Sequence, residues 1–172
     1  YGFHERKDVS QLIDFLEKNY KPSSQNIALM GISAGGAVAI SSAAYDKRIQ
    51  GLITISAFAD LNNTIKKQVP WLPSFWRNRA ITRAEEIAEF FNIAEISPIN
   101  QIKKVNCPIL IVHGTEDRYI PFVNGKKLYD AAEGEKSFYA VEGGNHSTVL
   151  DKGGEELQEK IVEFVRDNFL QD

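Results

Sequence analysis

The run Ile27-Ala28-Leu29-Met30-Gly31-Ile32-Ser33-Ala34-Gly35-Gly36 passes from apolar residues into Gly-x-Ser-x-Gly, and a small-residue segment, 37–44, follows at once. That order reads as strand, sharp turn and helix. Gly31 and Gly35 carry no Cβ, so neither obstructs a backbone that reverses tightly beside a helix. Ser33 then stands at the tip of the turn, strained, with its hydroxyl pushed out of the sheet. The start of the following helix offers backbone N–H groups and a positive dipole end, both suited to a developing oxyanion. Taken alone, the same five residues also fit a glycine-rich turn whose serine caps a helix.

The flanking segments extend the pattern. Residues 5–20 carry Val9, Leu12, Ile13, Leu16 and Tyr20 at helical spacing, and Lys21-Pro22-Ser23-Ser24 ends that helix. His4, at its entrance, reads as an exposed or capping residue. Residues 26–32 are apolar at nearly every position, which predicts a parallel strand covered on both faces. A helix over 33–45 and a second buried strand over 51–57 complete a unit of βαβ length. Residues 108–113 (PILIVH) predict a third strand, 122–132 a helix, 136–142 a fourth strand and 154–170 an amphipathic helix. This alternation predicts an α/β domain with a mostly parallel sheet.

The periodicity changes over 58–105, which is expected to form a helical cap-like insertion within the single domain 1–172. Pro70-Trp71-Leu72-Pro73 breaks one short helix, and Thr82-Arg83-Ala84-Glu85 is a capping box in front of another. Trp71, Phe75, Trp76, Phe90 and Phe91 fit a local helical core one by one. Together they fit a cap whose apolar side lines a pocket over Ser33.

Composition narrows the function. A net charge of −3 argues against general nucleic-acid or acidic-membrane binding, because neutralising phosphates needs a basic surface. The single cysteine, Cys107, excludes an internal disulfide and a cysteine-based zinc cluster, and reads as a buried thiol. No stretch approaches the ~20 apolar residues of a membrane span. We expect a cytoplasmic protein without membrane or nucleic-acid partners. The chain begins at Tyr1 without an initiator methionine, so the lack of a leader says nothing about export.

Three of the four expected strands end in residue types that nucleophilic hydrolysis needs. Ser33 follows the first, Asp117 the third and His146 the fourth. A serine hydroxyl is a weak nucleophile until a base within hydrogen-bond reach takes its proton. The base must be an oriented imidazole, and a carboxylate behind it fixes the tautomer. Glu116 is a rival for the acid, although the spacing of Gly114-Thr115-Glu116-Asp117 favours Asp117. His113 lies inside the end of its strand, where a hydrogen-bonded packing role is expected. His146, after Gly143-Gly144-Asn145, is expected on a flexible loop that swings the imidazole over Ser33.

These motifs resemble the α/β-hydrolase superfamily. The resemblance rests on Gly31-Ile32-Ser33-Ala34-Gly35, on His113-Gly114-Thr115-Glu116-Asp117 with Ile120-Pro121, and on Gly144-Asn145-His146, and it covers essentially the whole chain. The chain looks most similar to bacterial esterases and serine-aminopeptidase-like members, which often carry a run like Ser97-Pro98-Ile99-Asn100 before the strand leading to the acid. The resemblance implies a three-layer parallel sheet and a Ser33-Asp117-His146 triad cleaving carboxylic esters through an acyl-enzyme. It also implies the N–H of Ala34 as an oxyanion donor and no metal or organic cofactor. Ile32, Trp71, Trp76 and Ile120 are the expected substrate-binding residues, and a small-molecule ester with an apolar acyl or aryl group is the expected substrate. Peptide or amide hydrolysis by the same triad, and a non-catalytic binding module, are the alternatives.

One departure stands out. The superfamily's first strands and the His-Gly-type loop that donates the second oxyanion hydrogen bond would precede residue 1. We therefore expect either the carboxyl-terminal part of a longer hydrolase or self-association through the edge of the 26–32 strand, since an unpaired apolar edge invites another chain.

Overall fold

The structure is a computed structural model that describes residues 4–20, 26–60, 73–76, 79, 82 and 97–170. The insertion expected over 58–105, with Trp71 and the capping box from Arg83 onward, lies largely outside the described residues. Its two described stubs meet: the carbonyl of Ala59 accepts the Ile99 N–H at 3.0 Å and the Ser97 hydroxyl at 3.3 Å.

The elements in chain order are α1 (Glu5–Asn19), β1 (Ile27–Ile32), α2 (Ala34–Tyr45), β2 (Ile49–Ile55), α3 (Pro98–Gln101), a 3₁₀ turn (Ile102–Lys104), β3 (Ile109–Gly114), α4 (Val123–Ala131), β4 (Lys136–Val141) and α5 (Val149–Phe169). The four strands form one sheet in the order β1-β2-β3-β4, and every pairing is parallel. Parallel neighbours require crossovers, and α2 and α4 supply two of them. Gly154, at φ 48°, breaks α5 after its first turn and a half, so the amphipathic stretch expected from residue 154 starts at a real kink.

Two apolar layers flank the sheet. On one side Ile13 of α1, Ile40 of α2 and Leu128 of α4 pack on Leu52, Ile109 and Ile111. On the other, Leu157 and Phe164 of α5 pack on Ile53, Ile55, Leu110 and Val112. Alternate residues of β2 and β3 thus point into opposite layers, as the two-residue period of a strand demands. This is the three-layer arrangement expected from the sequence. Cys107 is buried, also as expected.

The expectation of cover on both faces fails for β1. Met30 is 58% exposed and Ile32 40%, whereas Gly31 between them is buried. α2 packs on one face of β1; α5, on the other side of the sheet, packs mainly on β2, β3 and β4, and no described strand pairs with the outer edge of β1. Apolar composition marked the strand correctly but overstated its neighbours.

A charged cluster fixes α1 to the turn between α2 and β2. The Arg48 guanidinium reaches Asp46 at 2.6 Å, Asp14 at 2.7 Å and Glu17 at 2.7 Å, and Ser10 donates to Asp46 at 2.6 Å. The hydrogen bonds from Arg48 hold the Asp46 carboxyl well below the usual carboxylate range.

Candidate active site

The serine turn is built where β1 runs into α2. Ser33 adopts φ 57° and ψ −121°, a conformation L residues rarely take, and its N–H donates to the carbonyl of Ile55 at 2.8 Å. That bond continues the β1–β2 ladder by one residue and holds the strained turn against the end of β2. Close packing is needed at Gly31, where a Cβ would collide with the carbonyl of Gly35, and at Gly36, where it would meet the Cβ of Ala57 at 2.7 Å. Gly35 has open space around it, so of the two glycines stressed in the sequence only Gly31 is sterically required. Ala34 is the first residue of α2, and the leading N–H groups of a helix have no intrahelical acceptor.

The other two side chains sit on loops that are stitched together. Thr115 N–H donates to the Val141 carbonyl at 3.0 Å, and Glu116 N–H to the Gly144 carbonyl at 2.9 Å. The Thr115 hydroxyl accepts from Gly143 N–H at 2.9 Å. Gly114 permits this approach, because a Cβ there would strike the Gly144 carbonyl. Gly143 takes φ 66° to turn the chain, and Asn145 Oδ1 then accepts the N–H groups of Ser147 and Thr148 at 2.9 and 3.0 Å. The loop expected to be slack is instead a pinned turn that presents His146.

Asp117 is enclosed, with its side chain fully buried. Its Oδ1 accepts from the N–H groups of Tyr119 at 2.9 Å and Ile120 at 2.8 Å, while Oδ2 lies 2.8 Å from Nδ1 of His146. An ionised carboxylate only accepts, so Nδ1 carries the proton and Nε2 presents its lone pair. Nε2 lies 3.0 Å from Oγ of Ser33. Three residues far apart in the chain thus form one hydrogen-bonded line from carboxylate to imidazole to hydroxyl. Glu116, the rival acid, is exposed and outside this line.

His113 is fully buried and its Nε2 donates to the Ile120 carbonyl at 2.8 Å, supporting the acid loop from beneath. Burial pushes its pKa down, so it stays neutral with Nδ1 unprotonated. α4 presses close here, since a Cβ on Gly125 would meet that Nδ1 at 2.8 Å. The packing role expected of His113 is the one observed.

Of the residues expected to face substrate, Ile32 is 40% exposed beside the Ser33 turn. Trp76 is exposed and packs edge-on against Phe75. Ile120 is only 2% exposed and packs with Ala37 and Phe58, next to Ala34, so it belongs to the floor rather than to an open wall. Trp71 lies outside the described residues. Sequence reading missed Tyr119, whose ring lies 4.9 Å from that of His146, and Asn145, whose place in a Gly-Gly-Asn-His run was a turn signal. Among the described residues no group of histidines, cysteines and carboxylates is arranged to hold a metal ion.

The chain matches the prolyl oligopeptidase family over residues 1–172. It is 27% identical to the Bacillus subtilis (strain 168) protein YqkD, across 96% of this chain and 55% of that protein. Among solved structures it is similar to the Pyrococcus furiosus esterase Pf2001, with a TM-score of 0.76 at 19% identity over 97% of this chain and 62% of that one. It is also similar to the Pyrococcus horikoshii acylaminoacyl peptidase, with a TM-score of 0.74 at 16% identity over 97% of this chain and 28% of that one. The chain spans about half the length of the curated relatives it matches. With its parallel sheet, its strained serine turn and a family match along its whole length, the chain belongs to the prolyl oligopeptidase family and has an α/β-hydrolase fold.

Proposed function

We propose that the protein is a serine hydrolase that cleaves carboxylic esters through an acyl-enzyme. The observation that carries this reading is the line Asp117 Oδ2, His146, Ser33 Oγ, with contacts of 2.8 and 3.0 Å. Ser33 attacks the acyl carbon while His146 Nε2 takes its proton. The tetrahedral oxyanion forms beside the Ala34 N–H, His146 returns the proton to the leaving alcohol, and water completes the second half-reaction in reverse roles. Asp117 holds the tautomer and stabilises the imidazolium. Ile32, exposed next to Ser33, forms part of the acyl side of the site. This chemistry needs no metal or organic cofactor.

The test is turnover of short-chain aryl esters by the protein expressed from its full coding sequence. Ser33→Ala should lower kcat by at least about 10³-fold; turnover unchanged in that variant contradicts the reading.

Peptide-bond hydrolysis is the second reading, favoured by the family match and by the likeness to an acylaminoacyl peptidase. The same triad serves both reactions, so kcat/KM for aminoacyl anilides against aryl esters separates them. A non-catalytic binding module has less support, because such a module has no need of a complete proton path.

A further inference from the structure

We propose that Tyr119 is a positioning residue for the base: its ring packs against the imidazole of His146 and keeps it aligned between Asp117 and Ser33. Its kinetic consequence rests on the hydrolase reading above; its geometric consequence does not.

The imidazole is anchored at Nδ1 and Nε2 by single contacts of 2.8 and 3.0 Å, and its side chain is 21% exposed. Two in-plane hydrogen bonds resist rotation weakly when the face of the ring is open to solvent. The Tyr119 ring packs against the imidazole, with centroids 4.9 Å apart and the planes inclined by 44°. Tyr119 is carried on the turn that clamps the acid, since its own N–H donates to Asp117 Oδ1 at 2.9 Å. One residue therefore fixes the carboxylate through its backbone and the imidazole through its side chain.

Tyr119 is 55% exposed, so it does little for the core. An exposed aromatic residue set against the base is better explained by what it does to His146 than by stability. Its substitution should spare the fold.

The experiment compares wild type, Tyr119→Phe and Tyr119→Ala, each expressed from the full coding sequence. One readout is the rate of His146 carbethoxylation by diethyl pyrocarbonate, followed by peptide mass. The other is kcat and KM for an aryl ester. Tyr119→Ala should react severalfold faster at His146 and lose roughly tenfold in kcat, with KM within about twofold. Tyr119→Phe, which keeps the ring, should match wild type in both. His113, fully buried, serves as the folding control and should stay unmodified throughout. Unchanged His146 reactivity and kcat in Tyr119→Ala would overturn the proposal. So would a rise in KM alone, which marks a substrate wall, or a loss in Tyr119→Phe equal to that in Tyr119→Ala. If wild type turns over no ester, the hydrolase reading fails, while the His146 modification rates still decide the positioning role.

Discussion

β3 and β1 are both six-residue apolar strands, and each leads directly into a loop bearing one member of the hydrogen-bonded line. Every residue of β3 is buried, while β1 alternates, with Ala28, Met30 and Ile32 exposed. Yet both deliver their side chains to the same rim. Depth of cover therefore does not place the site; register does. The Ser33 N–H bond to Ile55 fixes the end of β1 against β2, and the pairing of Gly114 with Val141 fixes the Asp117 loop against the His146 loop.

The largest effect is expected where register and close packing coincide. Gly31→Ala drives a Cβ into the Gly35 carbonyl and should cost roughly 3 kcal/mol or more in chemical denaturation. Gly35→Ala, facing open space, should lie within about 1 kcal/mol of wild type. Equal losses would contradict the account of the turn.

Ile111→Ala, at 1% exposure in β3, should cost about 3 kcal/mol, mostly as a cavity between β3 and the α2–α4 layer. A loss of similar size from Met30→Ala in β1 would erase the contrast between the two strands.

The Arg48 cluster sets a smaller, pH-dependent effect. The Asp46 carboxyl titrates lower in the folded chain than in the unfolded one, so as pH falls the unfolded chain binds this proton first. The contribution is full above about pH 5 and fades below it as pH falls toward the folded value. Arg48→Met should cost about 1–2 kcal/mol at neutral pH. Asp46→Asn should flatten the acid limb of a stability-against-pH curve; an unchanged limb would show that other carboxylates dominate it.

Met30→Lys should change stability by no more than about 0.5 kcal/mol, since the side chain is already mostly in water. We propose that the outer edge of β1, which no described strand pairs, is the surface through which a second copy of the chain associates. Met30→Lys should then weaken concentration-dependent association in sedimentation. An unassociated wild-type chain at high concentration contradicts this.

The four strands, the helices α1, α2, α4 and α5 and the three side chains of the line were legible because each leaves a local mark: apolar runs bounded by turns, Gly-x-Ser-x-Gly, and Asp and His at strand exits. What was not legible depends on three-dimensional neighbours. The apolar residues of β1 look the same whether one face or two are covered. Gly35 and Gly36 are adjacent and identical in type, and only the approach of Ala57 shows which one is needed. Tyr119 is two residues from Asp117, but nothing in that spacing says that its ring turns toward His146. Arg48 meets Asp14 and Glu17 only after α1 folds back on the turn before β2.

The central claim is that Ser33 is a nucleophile activated by His146. The most direct measurement is labelling by a fluorophosphonate probe, with the modified peptide identified by mass. The account predicts a single adduct on Ser33, absent in Ser33→Ala and at least about 10²-fold slower in His146→Ala. An adduct on another residue, or equal labelling of wild type and Ser33→Ala, would contradict it.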